Sequence, residues 1–230
     1  MYSAVIPSDL PDQVDDLVFK RLHADDTMSD AVLAFHRTKP IPKINVPANH
    51  GKLLHFFIKM MGAKRILEIG TLAGYSTVWM AKDLPADGLV TTIDFDEKHI
   101  QIAEQTFAMT DMQDKIRMMH GKAQECLELL VKEHKAGLIP SFDFIFIDAD
   151  KQNNPVYLDY CMELSRSGTV IVADNMVRDG KVVTETDRAP NIRGIRQYFQ
   201  KLHDDPRLDS TVIQTVGHKG WDGFAITMVK

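Results

Sequence analysis

Arg65-Ile66-Leu67-Glu68-Ile69-Gly70-Thr71-Leu72-Ala73-Gly74-Tyr75-Ser76 is the stretch that decides the fold. An apolar run of strand length gives way to glycines, then to a helix-compatible segment running to about Lys82, which together predict a β–α turn. The same rhythm continues downstream. Leu89–Asp94 reads as a strand before a helix over Glu97–Met109, and Lys115–His120 as one before Lys122–His134. Phe142–Asp148, a helix near Val156–Leu164, Thr169–Ala173 and a helix around Ile192–His203 extend it. Strands that are apolar throughout and alternate with helices predict a parallel sheet covered on both faces. Thr211–Val216 and Phe224–Val229, separated by Gly217–Gly223, predict a terminal antiparallel hairpin.

Upstream of about residue 63 the chain reads as helices. Val14, Leu17, Val18, Arg21 and Leu22 follow three-and-four spacing after Pro11-Asp12, and Leu53, Leu54, Phe57, Ile58 and Met61 share a face that Gly62 would end. Lys39-Pro40-Ile41-Pro42-Lys43 between them cannot be helix interior. The expected organisation is one α/β domain over residues 1–230, with a helical N-terminal extension over 1–62 and the α/β core over 63–230.

Composition agrees. With 230 residues, 44% hydrophobic and 26% charged, the chain has the make-up of one globular domain. A net charge of −5 argues against nucleic acid as a partner. No apolar run approaches the ~20 residues that span a bilayer, and Ser8-Asp9-Leu10-Pro11-Asp12 is acidic and proline-broken where a secretion signal would be basic and then apolar. Cys126 and Cys161, the only two cysteines, have neither disulfide nor metal spacing, which predicts a reduced, cytoplasmic setting.

Ligands in open α/β sheets bind beyond the carboxyl ends of the strands, so the residues there carry the functional reading. Gly70 and Gly74 let the backbone turn and approach a ligand. Position 72 is Leu72 where a dinucleotide fingerprint needs glycine, which argues against a nicotinamide-dependent oxidoreductase. Glu68 at a strand end calls for hydrogen-bond donors. Asp94, 24 residues past Gly70, can accept both hydroxyls of a ribose, with Phe95 against an adenine face; the plain alternative is an acid complementing a helix start. Asp148, Asp150 and Asp174 gather with Asn175 at neighbouring strand ends, and Asp148, Asp174 and Asn175 offer hard oxygen ligands suited to Mg²⁺, Mn²⁺ or Ca²⁺; the plain alternative is that each aspartate caps the following helix.

Taken together, these segments resemble the cation-dependent O-methyltransferases that use S-adenosylmethionine, a family that includes catechol and caffeoyl-CoA O-methyltransferases and small bacterial relatives. Leu67–Ser76, Phe142–Lys151, Val172-Ala173-Asp174-Asn175 and Asp204-Asp205-Pro206-Arg207-Leu208 match its motifs, and the similarity runs from about Val46 to the C-terminus. The resemblance implies a Rossmann-like class I methyltransferase fold with a mostly parallel seven-stranded sheet. It places Val46, Glu68, Gly70, Thr71 and Ser76 at the methionine part of the donor and Asp94 at the ribose. Phe95, Ala123 and Gln124 would surround the adenine, with Asp148 and Asp150 facing the donor too. Asp148, Asp174 and Asn175 match the metal ligands, and Lys151 the general base. It further implies a homodimer, with the apolar N-terminal helices as candidates for the contact, a small phenolic acceptor, and S-adenosylhomocysteine (SAH) as product. Met176-Val177-Arg178-Asp179-Gly180 departs from the plant enzymes, which carry a tryptophan and an asparagine before that glycine, so a CoA-thioester acceptor is not implied.

The chemistry expected is an in-line displacement in which a phenolate oxygen, aligned and ionised by the protein, attacks the sulfonium methyl. Rival readings are a methyltransferase with a non-catechol acceptor, an amino-methyltransferase, and a donor-binding sensor. An amino-methyltransferase would need an Asn/Asp-Pro-Pro-aromatic segment where Asp148-Ala149-Asp150-Lys151 stands. The nine histidines are scattered, His50 and His55 without metal spacing. Met60-Met61 and Met118-Met119 read as core filler, and Trp221 as either a border of the acceptor site or a packed loop aromatic.

Overall fold

A computed structural model describes residues 9–23 and 25–230; Ser8 of the acidic opening segment lies outside them. Three helices come first: α1 (Leu10–Leu22), α2 (Thr27–Arg37) and α3 (Ala48–Met61). The core then alternates β1 (Arg65–Ile69), α4 (Tyr75–Ala81), β2 (Leu89–Asp94), α5 (Glu97–Met109), β3 (Ile116–His120), α6 (Ala123–Lys135), β4 (Phe144–Ile147), α7 (Asn154–Leu164), β5 (Val170–Asp174) and α8 (Pro190–Asp204). The hairpin β6 (Leu208–Gly217) and β7 (Gly220–Val229) closes the chain.

The seven strands lie in the order β3-β2-β1-β4-β5-β7-β6, with β1 to β5 parallel and β7 antiparallel to both its neighbours. Strand alternation splits the core between the two faces. Leu67, Ile69, Ile145 and Ile147 face α6, α7 and α8 through Leu127, Leu158 and Ile195. Ile66, Phe144 and Phe146 face α3, α4 and α5 through Leu54, Trp79 and Phe107. The chain leaves β1 toward β2 on one side and reaches β4 on the other, so the carboxyl ends of β1 and β4 flank the switch point at which such sheets hold ligands. No helix among the described residues is long and apolar enough to cross a membrane.

Three expectations are corrected. Helix α2 went unread because two of its three buried residues, Ser29 and His36, are polar, so the apolar period is faint. The hairpin strands run to Gly217 and from Gly220, leaving only His218 and Lys219 as the turn; β6 is exposed along most of its length and lacks the alternation that marks a strand. Met60 and Met61 face solvent rather than the core. Gly62 ends α3 in the left-handed conformation (φ 61°), as expected of a C-terminal glycine.

Candidate active site

A cavity of about 770 Å³ opens at the carboxyl ends of β1, β2 and β4. Its floor is the β1–α4 turn. Gly70 (φ 101°) runs so close to β4 that a Cβ would collide with the Asp148 carbonyl oxygen, so only glycine lets the two strand ends meet. Beneath the turn, Glu68 is fully buried and accepts hydrogen bonds from the hydroxyls of Ser76 (2.5 Å), Thr92 (2.6 Å) and Thr77. Burial pushes its carboxyl up to about 7 against the downward pull of those donors. Glu68 is not among the residues that line the cavity; it holds from below the turn and helix that do.

Asp94 faces the cavity and braces the same turn. Its carboxylate accepts from the backbone N–H groups of Leu72 (2.8 Å), Thr71 (3.2 Å) and Asp96 (2.9 Å), and lies 3.3 Å from His99 Nδ1. Leu72 adopts a left-handed backbone (φ 51°), so the chain takes the turn conformation that glycine would ease and ties it down through Asp94. Asp94 thus braces the turn and lines the cavity, while the acid at the start of α5 is Asp96, which accepts from the Lys98 and His99 N–H groups. Phe95 on the wall is 71% exposed, an aromatic face left uncovered in a cavity and suited to a flat ring. Val46, Gly70, Thr71, Ser76, Ala123, Gln124, Asp148 and Asp150 line the cavity as well. Asp150 accepts from Tyr157 Oη and Asn153 Nδ2, both at 2.5 Å, and burial together with Asp150 keeps the Tyr157 phenol protonated.

A second cavity of about 410 Å³ adjoins the first; both are lined by Ile44, Asn45, Val46, Asn175 and Arg178. Asp148 faces the first cavity, Asp174 the second, and Asn175 both. Lys151 is buried in the short helical turn after β4, its Nζ donating to Asp148 Oδ1 at 2.8 Å. Helix α8 holds that turn in place: a Cβ on Gly194 would collide with the Lys151 carbonyl oxygen. Burial and then the charge of Asp148 push the Asp174 carboxyl well above the usual carboxylate range, with His50 and Lys151 pulling the other way. Burial, more than charge, thus disfavours the ionised form of Asp174. Among the described residues no three His, Cys, Asp or Glu side chains form a metal-holding group. The candidate set is two carboxylates and the Asn175 amide oxygen, a hard donor set that fits a divalent cation keeping positions for water or acceptor oxygens.

Sequence reading missed His50, whose ring stacks on Phe224 (centroids 4.9 Å apart) with Nδ1 3.9 Å from Asp174, because nothing in the spacing of the histidines links α3 to β5. Gly194 and Lys219 were likewise invisible, since each meets the site only through tertiary packing. Trp221 lines neither cavity: it packs against Gly180, where a Cβ would come within 2.8 Å of the ring, and donates to Gln214. Asp204–Leu208 lies at the end of α8, away from both cavities.

A family model described as O-methyltransferase matches residues 23–226. A catechol O-methyltransferase of Niastella koreensis is 43% identical over 190 residues, 83% of this chain and 84% of its own. A catechol O-methyltransferase of Mycobacterium tuberculosis is 39% identical over 220 residues, 96% of each chain. Among solved structures, an O-methyltransferase from Bacillus cereus in complex with SAH matches with a TM-score of 0.92 at 39% identity, covering 97% of this chain and 100% of that one.

Proposed function

The chain belongs to the O-methyltransferase family, and from that premise we propose that it transfers a methyl group from S-adenosylmethionine to one hydroxyl of a small phenol with vicinal hydroxyls, with the help of a divalent cation, Mg²⁺ in the first instance. The observation that carries the proposal is the junction of the two cavities: Asn175 lines both, with Asp148 on the donor-sized side and Asp174 on the smaller.

In this reading the first cavity takes the donor. Phe95, Ala123 and Gln124 flank the adenine, Asp94 and its loop take the ribose, and Val46, Gly70, Thr71 and Ser76 surround the methionine part. Asp148, Asp174 and Asn175 hold the cation at the junction. When bound, the donor supplies an electrophilic methyl and the cation favours the ionised acceptor hydroxyl. The protein contributes alignment, which in favourable cases is worth ~7–11 kcal/mol of barrier, by fixing two ligand sites on one rigid set of strand ends. Lys151 Nζ, oriented by Asp148 and acting as the neutral amine, takes the acceptor proton and becomes the ammonium that pairs with Asp148. The test is methyl transfer to a panel of catechols after exhaustive chelation and again with Mg²⁺ restored. Turnover that vanishes and returns supports the reading; turnover indifferent to chelation removes the cation from it, and no turnover on any catechol removes the acceptor.

We further propose that the protein is a homodimer built on the β6 edge, and that it works in a reducing compartment, the cytoplasm, where the buried free thiols of Cys126 and Cys161 persist.

A further inference from the structure

Asp94 has its acceptor positions taken. An ionised carboxylate offers about four lone-pair positions. On Oδ2 they meet the backbone N–H groups of Leu72 (2.8 Å) and Thr71 (3.2 Å). On Oδ1 they meet the Asp96 N–H (2.9 Å) and His99 Nδ1 (3.3 Å). A ribose seated at Asp94 brings two hydroxyl donors more, so one of the four present must yield. The three amides are held. Thr71 and Leu72 belong to the turn that the carboxylate ties down, Leu72 in its left-handed conformation, and Asp96 is the N-cap of α5. His99 is the one that can move. Its contact is the longest of the four, a side chain makes it, and the ring lines the donor cavity. Among the described residues the ring makes no other hydrogen bond. Around it stand Asp94 on β2, His120 level with Asp94 on β3, and Asp96 and Lys98 at the start of α5. Sharing the cavity are Lys122, itself 3.7 Å from Glu125, and His36, whose pKa burial lowers and which meets Thr106 Oγ1 at 2.9 Å. Among these groups only Asp94 comes within ion-pair reach of the His99 ring.

We infer that His99 is a positioning residue for the methyl donor: it holds one acceptor position on Asp94 and surrenders it when the donor's ribose hydroxyls claim that carboxylate. This rests on reading the larger cavity as the donor site and adds how that site is regulated. An imidazolium at position 99 gives Asp94 a charge-assisted hydrogen bond and resists displacement, whereas a neutral ring gives way. Seating the ribose therefore favours the neutral ring, and the proton it gives up passes to the solvent. Donor affinity consequently falls as pH drops through the range in which imidazoles titrate, between about pH 8 and pH 5.

The test is SAH binding by calorimetry at about pH 6, in two buffers of different ionisation heat, which counts the protons released. At that pH the α-amino and α-carboxyl groups of the ligand do not titrate. The parent protein is compared with His99→Gln, whose amide can still donate but cannot titrate, and with His99→Phe, which removes the donor. Other titrating groups, His36 among them, are common to all three proteins and cancel in the comparison. The parent is expected to release a fraction of a proton, and its Kd to weaken about three- to tenfold from about pH 7 to about pH 5.5, the scale of one charge-assisted hydrogen bond at a partly exposed site. Both variants are expected to release distinctly less and to bind with a flatter pH profile. Proton release in a folded variant equal to that of the parent overturns the inference and leaves the donor site standing. A loss of affinity beyond about tenfold at pH 7 in both variants also overturns it, because His99 would then hold the donor instead of yielding to it. No SAH binding by the parent overturns the donor reading and this inference with it.

Discussion

Burial holds the Glu68 carboxyl at about 7 even though three hydroxyls bond it, so the folded protein binds a proton there more tightly than the unfolded chain does. For an acid whose folded pKa is raised, stability is fully present below the unfolded value near 4.5 and is lost as pH climbs to about 7. The interval corresponds to something on the order of 3 kcal/mol. His23, His36 and His55, each lowered chiefly by burial, act in the opposite direction over a similar range, so the raw pH profile mixes both. The contribution is isolated as the difference between parent and Glu68→Gln. Denaturant unfolding between pH 5 and 8 is expected to show the parent losing stability relative to the variant as pH rises; parallel profiles would mean that Glu68 titrates as an ordinary carboxylate. At this scale the sequence displayed the unusual residues well. Phe95, Asp148, Lys151 and Asn175 stand beside the cavities because strand ends converge on the switch point whatever the rest of the chain does. Whether a strand-end acid faces the ligand or the floor depends on a single turn of the backbone: Glu68 points into the hydroxyls of α4 and β2.

Helix α8 shows how an element remote in sequence fixes the place of a candidate site residue. It crosses the turn carrying Lys151 so closely that Gly194 leaves no room for a Cβ against the Lys151 carbonyl and Gln152 Cα. Both sides of that contact are backbone, so neither can swing away, and Gly194→Ala is expected to cost about 1–3 kcal/mol by overpacking. The same displacement moves Lys151, the proposed base, so kcat should fall further than the affinity for S-adenosylmethionine measured by calorimetry. A variant as stable and as fast as the parent would show that α8 tolerates separation from the turn. Elements with a strong apolar period were legible to their ends: β2 and α5 occupy Leu89–Asp94 and Glu97–Met109 as the sequence reading placed them. Where an element buries polar groups or faces solvent on both sides, as α2 and β6 do, period carries no information and only the assembled structure reveals it.

Across the whole molecule, one feature of the sheet remains unbalanced. At one end β3 is a short edge of five residues, whereas at the other β6 offers ten residues with Val212, Ile213 and Val216 exposed. Helix α1 meets the tip of this strand through Asp15, which accepts from His218, and buries none of its own residues; Val14 and Leu17 are exposed too. A long apolar edge invites pairing with another strand, and a second copy of the same edge is complementary to it about a two-fold axis. Such pairing would also steady the hairpin tip that closes the second cavity on one side, linking assembly to the shape of that cavity. The protein is therefore expected to sediment as a dimer, and Val216→Asp, which sets a charge against its symmetry-related neighbourhood, to shift it toward monomer. Because the donor cavity lies at the other half of the sheet, the monomeric variant should bind S-adenosylmethionine like the parent while its KM for the acceptor rises. A parent that sediments as a monomer at every concentration tested would leave β6 a solvated edge and sever that link.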